Sequence, residues 1–372
     1  MLKEEIQLIH QGPFKLVFVS SGGGSKAISD LLKVPGASQT ILECHIPYSR
    51  ESMDEYLNFK PSHYCGLQTT VNMSVMAFSR AKMLSKETKS ENLLGVAVTA
   101  TLSTTYEKLG SHRFFICIHG YNATHVFSCY LTKGKRTRDH EEELVSECLE
   151  SLIGIACGLG NDVPSLSQQI DYQMISAKDD WHALEKKEID YLGKWDESKK
   201  LIFPGTFNPL HEGHRKIQNI AEDKLQTPVT FEISISNVEK TFLSYYEIDK
   251  TINEFREDEN WVMTNAPSFS EKSEIFQNST FIIGMDTMLR IFDERYYKSI
   301  EDMENSLNSF VANNSQFMVF GREINGNFMT LNDIQIPKNL QNRFIFVSEI
   351  DFRVDLSSSE IKRDIEAKKT LS

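Results

Sequence analysis

From Leu201 onward the chain alternates short apolar runs with amphipathic stretches, and this alternation leaves the second half very few architectures. The runs Leu201–Phe203, Val229–Ile235, Phe281–Ile283, Phe317–Phe320 and Phe344–Val347 have strand length and strand composition. Between the first two, Ile217, Ile220, Ala221 and Leu225 recur at helical spacing, and Ile248, Ile252 and Phe255 mark the next helix. Strands that alternate with helices pair in parallel, because each helix carries the chain back to the same end of the sheet. The expectation is a mostly parallel sheet with helices on both faces. In such sheets ligands sit beyond the carboxyl ends of the strands.

The first half mixes strands (Phe14–Val19, Leu93–Thr99, Phe114–Ile118) with helical stretches (Val71–Leu84, Glu141–Ala156), which predicts a second α/β domain. At 372 residues two domains are expected. The polar stretch between them, with Trp181, Leu184, Ile189, Leu192 and Trp195 at near-helical spacing, reads as a partly helical linker. The predicted division is 1–165, a linker over 166–198, and 199–372. All six cysteines fall in the first half without a C-x-x-C pair or a zinc-like spacing, so they read as reduced core thiols. A net charge of −12 argues against nucleic acid as a partner. The N-terminus, Lys3-Glu4-Glu5, begins neither a signal peptide nor a membrane span, and a cytoplasmic protein is expected.

The segment Leu201-Ile-Phe-Pro-Gly205-Thr206-Phe207-Asn-Pro-Leu-His211-Glu-Gly213-His214 runs from a strand through a turn into an amphipathic helix. Gly205 and Gly213 would let backbone approach a ligand, and a helix start offers free N–H groups to an anion. Two imidazoles three residues apart share one face of the first helical turn, so both can meet the same phosphates. The string resembles the signature of the nucleotidyltransferase superfamily that includes the nicotinate and nicotinamide mononucleotide adenylyltransferases. The resemblance implies a Rossmann-like domain in which His211 and His214 contact the triphosphate of ATP.

Later segments agree with that resemblance in order and spacing. Phe281-Ile-Ile-Gly284-Met-Asp286 resembles the strand-end Gly-x-Asp whose acid meets the adenosine ribose; an acid at a helix start is also an ordinary cap. Leu356-Ser357-Ser358-Ser359-Glu-Ile-Lys362-Arg363 resembles the second signature, a Ser-rich helix start with a basic residue following. Lys240 stands where relatives carry a phosphate-contacting lysine, and Arg322 is a further cation after a strand; solvated surface charge is the alternative for both. His211, His214, Lys240 and Arg363 are thus the candidate catalytic residues. Gly205, Thr206, Phe207, Gly284, Asp286, Arg322, Ser357, Ser358, Ser359 and Lys362 are candidates for nucleotide binding. Mg²⁺ is expected with the triphosphate. For the acceptor's ring, Trp261, Phe269 and Phe242 are available aromatics.

In the first half, Ser20-Ser21-Gly22-Gly23-Gly24, Val34-Pro35-Gly36-Ala37-Ser38 and Pro47-Tyr48-Ser49 resemble the CinA-type nicotinamide mononucleotide deamidase domain over roughly residues 10 to 160. The resemblance puts Ser20 at the nucleophile and Tyr48 at the tyrosine, but the activating lysine is Met53, and methionine cannot activate a hydroxyl. The glycine run before a helix could still bind phosphate, and Lys26 could supply a cation from elsewhere. A retained ligand-binding, scaffold or homo-oligomerisation role is expected over deamidation.

These features predict adenylyl transfer from ATP to nicotinate or nicotinamide mononucleotide, with small nucleotides as partners and neither nucleic acid nor membrane. Adenylyl or cytidylyl transfer to phosphopantetheine or a phospho-alcohol, and a silent nucleotide-binding scaffold, remain the alternatives.

Overall fold

The structure is a computed structural model that describes residues 3–106, 108–160, 163–164, 169–236, 242–324, 327–329, 334 and 336–347. Its strands are β1 (Lys15–Ser21), β2 (Ile41–His45), β3 (Leu93–Thr101), β4 (His112–Gly120), β5 (Ala123–Leu131), β6 (Gln169–Ser176), β7 (Tyr191–Gly193), β8 (Leu201–Pro204), β9 (Val229–Ser234), β10 (Asn260–Thr264), β11 (Thr280–Gly284), β12 (Gln316–Phe320), β13 (Arg322–Ile324), β14 (Asn327–Met329) and β15 (Phe344–Val347). They form two large sheets and one small hairpin, β13–β14. Packing divides the described chain into one unit of residues 3–177 with 242–249, and another of 178–236 with 250–347. Both are α/β.

The first unit holds a mixed sheet in the order β2-β1-β3-β4-β5-β6, parallel across β2, β1 and β3 and antiparallel beyond. Successive strand side chains point to opposite faces. Leu16 and Phe18 of β1 therefore join a core with helices Ser25–Lys33 and Arg138–Ala156, while Val17 and Val19 join another with helices Arg50–Leu57 and Leu67–Leu84.

The second sheet runs β15-β12-β11-β8-β9-β10-β7, parallel throughout except for β7, which pairs antiparallel with β10. Register explains its two cores. Ile202 pairs with Phe281, Phe281 with Phe317 and Phe317 with Phe344, so these side chains share a face and meet helices Met285–Ile291 and Ile300–Ala312. Phe281, Phe317 and Phe344 form a ladder with ring centroids 5.8 and 5.3 Å apart. Phe203 pairs with Phe231 on the opposite face.

The span expected to be a linker differs from expectation. Residues 169–176 are β6, an edge strand of the first sheet, and only Asp179–Glu185 is helical before β7 begins. Leu192 lies in β7, so its near-helical spacing from Trp181 and Leu184 does not mark one helix. Strand β10, which carries Trp261, was absent from the predicted elements. No helix among the described residues is long and apolar enough to cross a membrane.

Candidate active site

The order of the second sheet reverses at β8. The chain proceeds from β8 to β9 and β10 on one side, then returns to β11 on the other side and continues to β12 and β15. Crossover loops leave β8 and β11 in opposite directions, which opens a crevice beyond their carboxyl ends, the usual ligand position in such sheets. The histidine segment follows β8 directly, and Gly284-Met285-Asp286 follows β11. The fold thus carries two segments 70 residues apart in sequence to neighbouring strand ends.

Past Pro204 the turn is held from several sides. Gly205 N–H donates to the carbonyl of Glu232 at 2.9 Å. Phe207, 1% exposed and in left-handed backbone (φ +40°), packs its ring against Phe203, Phe231, Phe255 and His214. That aromatic packing holds a conformation that a non-glycine residue adopts only at a cost. A Cβ on Gly205 would lie 2.6 Å from the Phe207 ring. The glycine therefore makes room for the Phe207 ring. Gly205→Ala is expected to push that ring, and through it His214, at a cost of about 1–2 kcal/mol in chemical denaturation; unchanged stability would contradict this packing role. Thr206 is exposed in the same turn. Further along, Lys250 Nζ donates to Asn208 Oδ1 at 3.2 Å, and Leu210 N–H donates to the carboxylate of Glu254.

His211 is the N-cap of the helix Glu212–Leu225. Its Nδ1 accepts from Gly213 N–H at 3.1 Å, and His214 Nδ1 accepts from His211 N–H at 3.3 Å, a capping box built from two imidazoles. The rings stack with centroids 3.7 Å apart. Because each Nδ1 accepts a backbone N–H, each Nε2 carries the proton. The pair therefore presents two neutral N–H donors. Burial, then the neighbouring His211 and Arg215, lowers the His214 pKa to about 3, and burial lowers that of His211.

This has a consequence for pH. A histidine whose native pKa lies below its ordinary value binds fewer protons folded than unfolded, so stability is lost as pH falls from about 6.5 toward about 3. Between pH 5 and 8 His214 stays neutral, and turnover should show no inflection near 6.5 from it. A pH–rate profile with such an inflection, removed by His214→Asn, would contradict a neutral donor.

The other candidates are placed unevenly. Gly284 is exposed at the end of β11 with open space where a Cβ would stand, and Asp286 lies half-buried in the first turn of the following helix. Arg322 is located by its backbone alone, in β13 opposite Met329. Lys240, Ser357, Ser358, Ser359, Lys362 and Arg363 lie outside the described residues. Of the aromatics, Phe269 packs on Phe281 and Phe317 in the core, Phe242 belongs to the first unit beneath Lys82, and the Trp261 ring is what a Cβ on Gly193 would meet. Among the described residues no group of three or more His, Cys, Asp or Glu side chains is gathered for a metal ion.

The candidate site of the first unit is already filled from within. Gly22 and Gly24 have φ +82° and +91°, and Gly24 caps the helix Ser25–Lys33. The free N–H groups expected to cradle a phosphate instead face Glu142. Gly24 N–H donates to both its carboxylate oxygens at 3.0 and 2.9 Å, Lys26 N–H donates at 3.0 Å and Ser25 Oγ at 2.9 Å. A Cβ on Gly23 would itself lie 3.1 Å from Glu142 Oε2. The glycine run thus binds a side chain, Glu142. Ser20 is 2% exposed and donates to the Gly23 carbonyl at 2.7 Å, Tyr48 is exposed, and Met53 is buried in the core. Lys26 pairs with Asp30 on its own helix, which raises its pKa.

No curated protein matches the chain. Among solved structures, the competence/damage inducible protein CihA from Agrobacterium tumefaciens is similar at 17% identity over 42% of this chain and 94% of that one, with a TM-score of 0.34. A competence-damaged protein (CinA) superfamily protein from Escherichia coli is similar at 12% identity over 41% of this chain and 82% of that one, with a TM-score of 0.30. Residues 202–364, beginning inside β8, match the family model described as Cytidylyltransferase-like, and the chain carries over that span a cytidylyltransferase-like domain of the nucleotidyltransferase superfamily.

Proposed function

We propose that this domain transfers adenylyl from ATP to nicotinate or nicotinamide mononucleotide and releases pyrophosphate. The observation that carries the reading is the pair of neutral Nε2–H donors at the end of β8, beside Gly284-Met285-Asp286 at the end of β11, across the point where strand order reverses. An acceptor phosphate oxygen attacks the α-phosphorus, the bond to the bridging oxygen breaks, and pyrophosphate leaves in line. The chain's own contribution is to hold the triphosphate and to donate hydrogen bonds as negative charge moves onto the leaving group. Asp286 would accept from the ribose hydroxyls. Mg²⁺ is expected on the triphosphate, where it would neutralise phosphate charge.

The test is pyrophosphate release across ATP and CTP against nicotinate mononucleotide, nicotinamide mononucleotide, phosphopantetheine and a phospho-alcohol. Turnover with ATP and a pyridine mononucleotide is expected. The family's name, Cytidylyltransferase-like, favours a second reading, cytidylyl transfer to a phospho-alcohol, and turnover with CTP alone would establish it. ATP binding by calorimetry without pyrophosphate from any acceptor would instead indicate a nucleotide-binding scaffold. For the first unit the proposal is a non-catalytic role, supported by the buried Met53, the tied Ser20 hydroxyl and the Glu142 carboxylate at the glycine run.

A further inference from the structure

A buried ion pair in the second unit takes no part in the chemistry outlined above. Glu232 on β9 is 0% exposed and Lys272 on the helix Phe269–Ile275 is 4% exposed, with Nζ 3.0 Å from Oε1. Withdrawing two charges from water costs more than such a pair ordinarily returns, so stability alone is a weak reason for it. Its hydrogen bonds suggest another reason.

All three Lys272 donors are directed at the ends of β9 and β10. One meets Glu232, one the Ala266 carbonyl at 2.6 Å, and one Ser234 Oγ. Glu232 Oε1 in turn accepts from Ser234 Oγ at 2.9 Å and Thr264 Oγ1 at 2.5 Å. The lacing continues outward, where Ile235 N–H donates to the Thr264 carbonyl at 2.9 Å and Ser236 Oγ to Asn265 Oδ1 at 2.6 Å. On the other side, the Glu232 carbonyl is the acceptor for Gly205 N–H, where the turn to His211 begins. Glu232 Oε2 is buried with no hydrogen-bond partner among the described residues, so the carboxylate serves the strand ends at the expense of its own satisfaction.

We propose that Lys272 and Glu232 are positioning residues for the transfer reaction. The pair fixes the carboxyl ends of β9 and β10 and, through the Glu232 carbonyl, the start of the turn that carries His211 and His214. This rests on the nucleotidyl-transfer reading, and one of its two readouts does not.

The full-length chain is compared with Lys272→Met and with the neutral double variant Lys272→Met/Glu232→Gln. The single variant strands a buried carboxylate, and its melting temperature should fall by roughly 10 °C. The double variant should regain most of that loss, yet keep kcat about 10²-fold below wild type with KM for ATP within about threefold. In the ligand-free double variant, amide exchange at Gly205 and Ile235 should rise at least about tenfold while Phe281 and Phe317 stay protected. Wild-type kcat in the restabilised double variant, or wild-type exchange at Gly205 and Ile235, would overturn the proposal. If the wild-type chain yields no pyrophosphate, the transfer reading fails, and the exchange measurement still decides whether the pair holds the turn.

Discussion

His211→Asn is expected to reduce kcat for pyrophosphate release by about 10²–10³-fold while changing the melting temperature by no more than about 2 °C. The two effects separate because the imidazole has two jobs on two atoms. Nδ1 caps the helix by accepting Gly213 N–H, and asparagine offers an oxygen in nearly the same place, being among the best N-cap residues. Nε2–H has no counterpart in asparagine at that reach. The same change at His214 keeps an acceptor for His211 N–H but loses ring contact with Phe207 and Phe203, so it should add about 1–2 kcal/mol of destabilisation to a comparable loss of rate. If both donors serve one triphosphate, the double variant will lose less than the product of the single losses. A His211→Asn enzyme within about twofold of wild type would remove the imidazole from the reaction.

The histidine segment was legible in sequence because the residues that cap its helix are local, although Glu232, Phe231, Phe255, Lys250 and Glu254, which hold the turn before it, are not. A strand, a Gly/Pro/Asn turn and a helix start fall within fourteen residues, and the capping box joins only His211, Gly213 and His214. Strands β8, β9, β11, β12 and β15 were legible for a related reason: a sheet buried on both faces needs continuous apolar runs, and these stand out from helical spacing. The three-residue β7 was not. Leu192 has neighbours that fit a helical period, and only its pairing with Met263 on β10 makes it a strand. Long-range polar contacts left no trace in the sequence either. Nothing near Lys272 signals that Glu232, forty residues earlier, completes its environment, and nothing near Gly24 signals an acid 118 residues later. Gly205 shows a long-range dependence of another kind, because the ring it accommodates is placed by Phe231 and Phe255. Its conformational freedom was visible, but the ring beside it was not, because that depends on how Phe207 folds back.

Glu142→Ala is expected to lower the stability of the first unit by about 2–3 kcal/mol, more than Gly205→Ala or His214→Asn. The carboxylate accepts from two backbone N–H groups and one hydroxyl at the start of the helix Ser25–Lys33, where the helix dipole also favours a negative charge. Alanine leaves Gly24 N–H, which is packed beneath Leu149 and Val98, without its acceptor, whereas the more exposed Lys26 N–H can turn to water. Glu142→Gln keeps one acceptor oxygen without the charge and should lose about half as much. Denaturant unfolding of the three proteins, followed by a probe in the first unit, gives the order wild type, Gln, Ala. Equal stability of Ala and wild type would mean the glycine turn does not need its internal anion. Nucleotidyl transfer by the Gln variant should match wild type, because the carboxylate acts on the first unit's own helix.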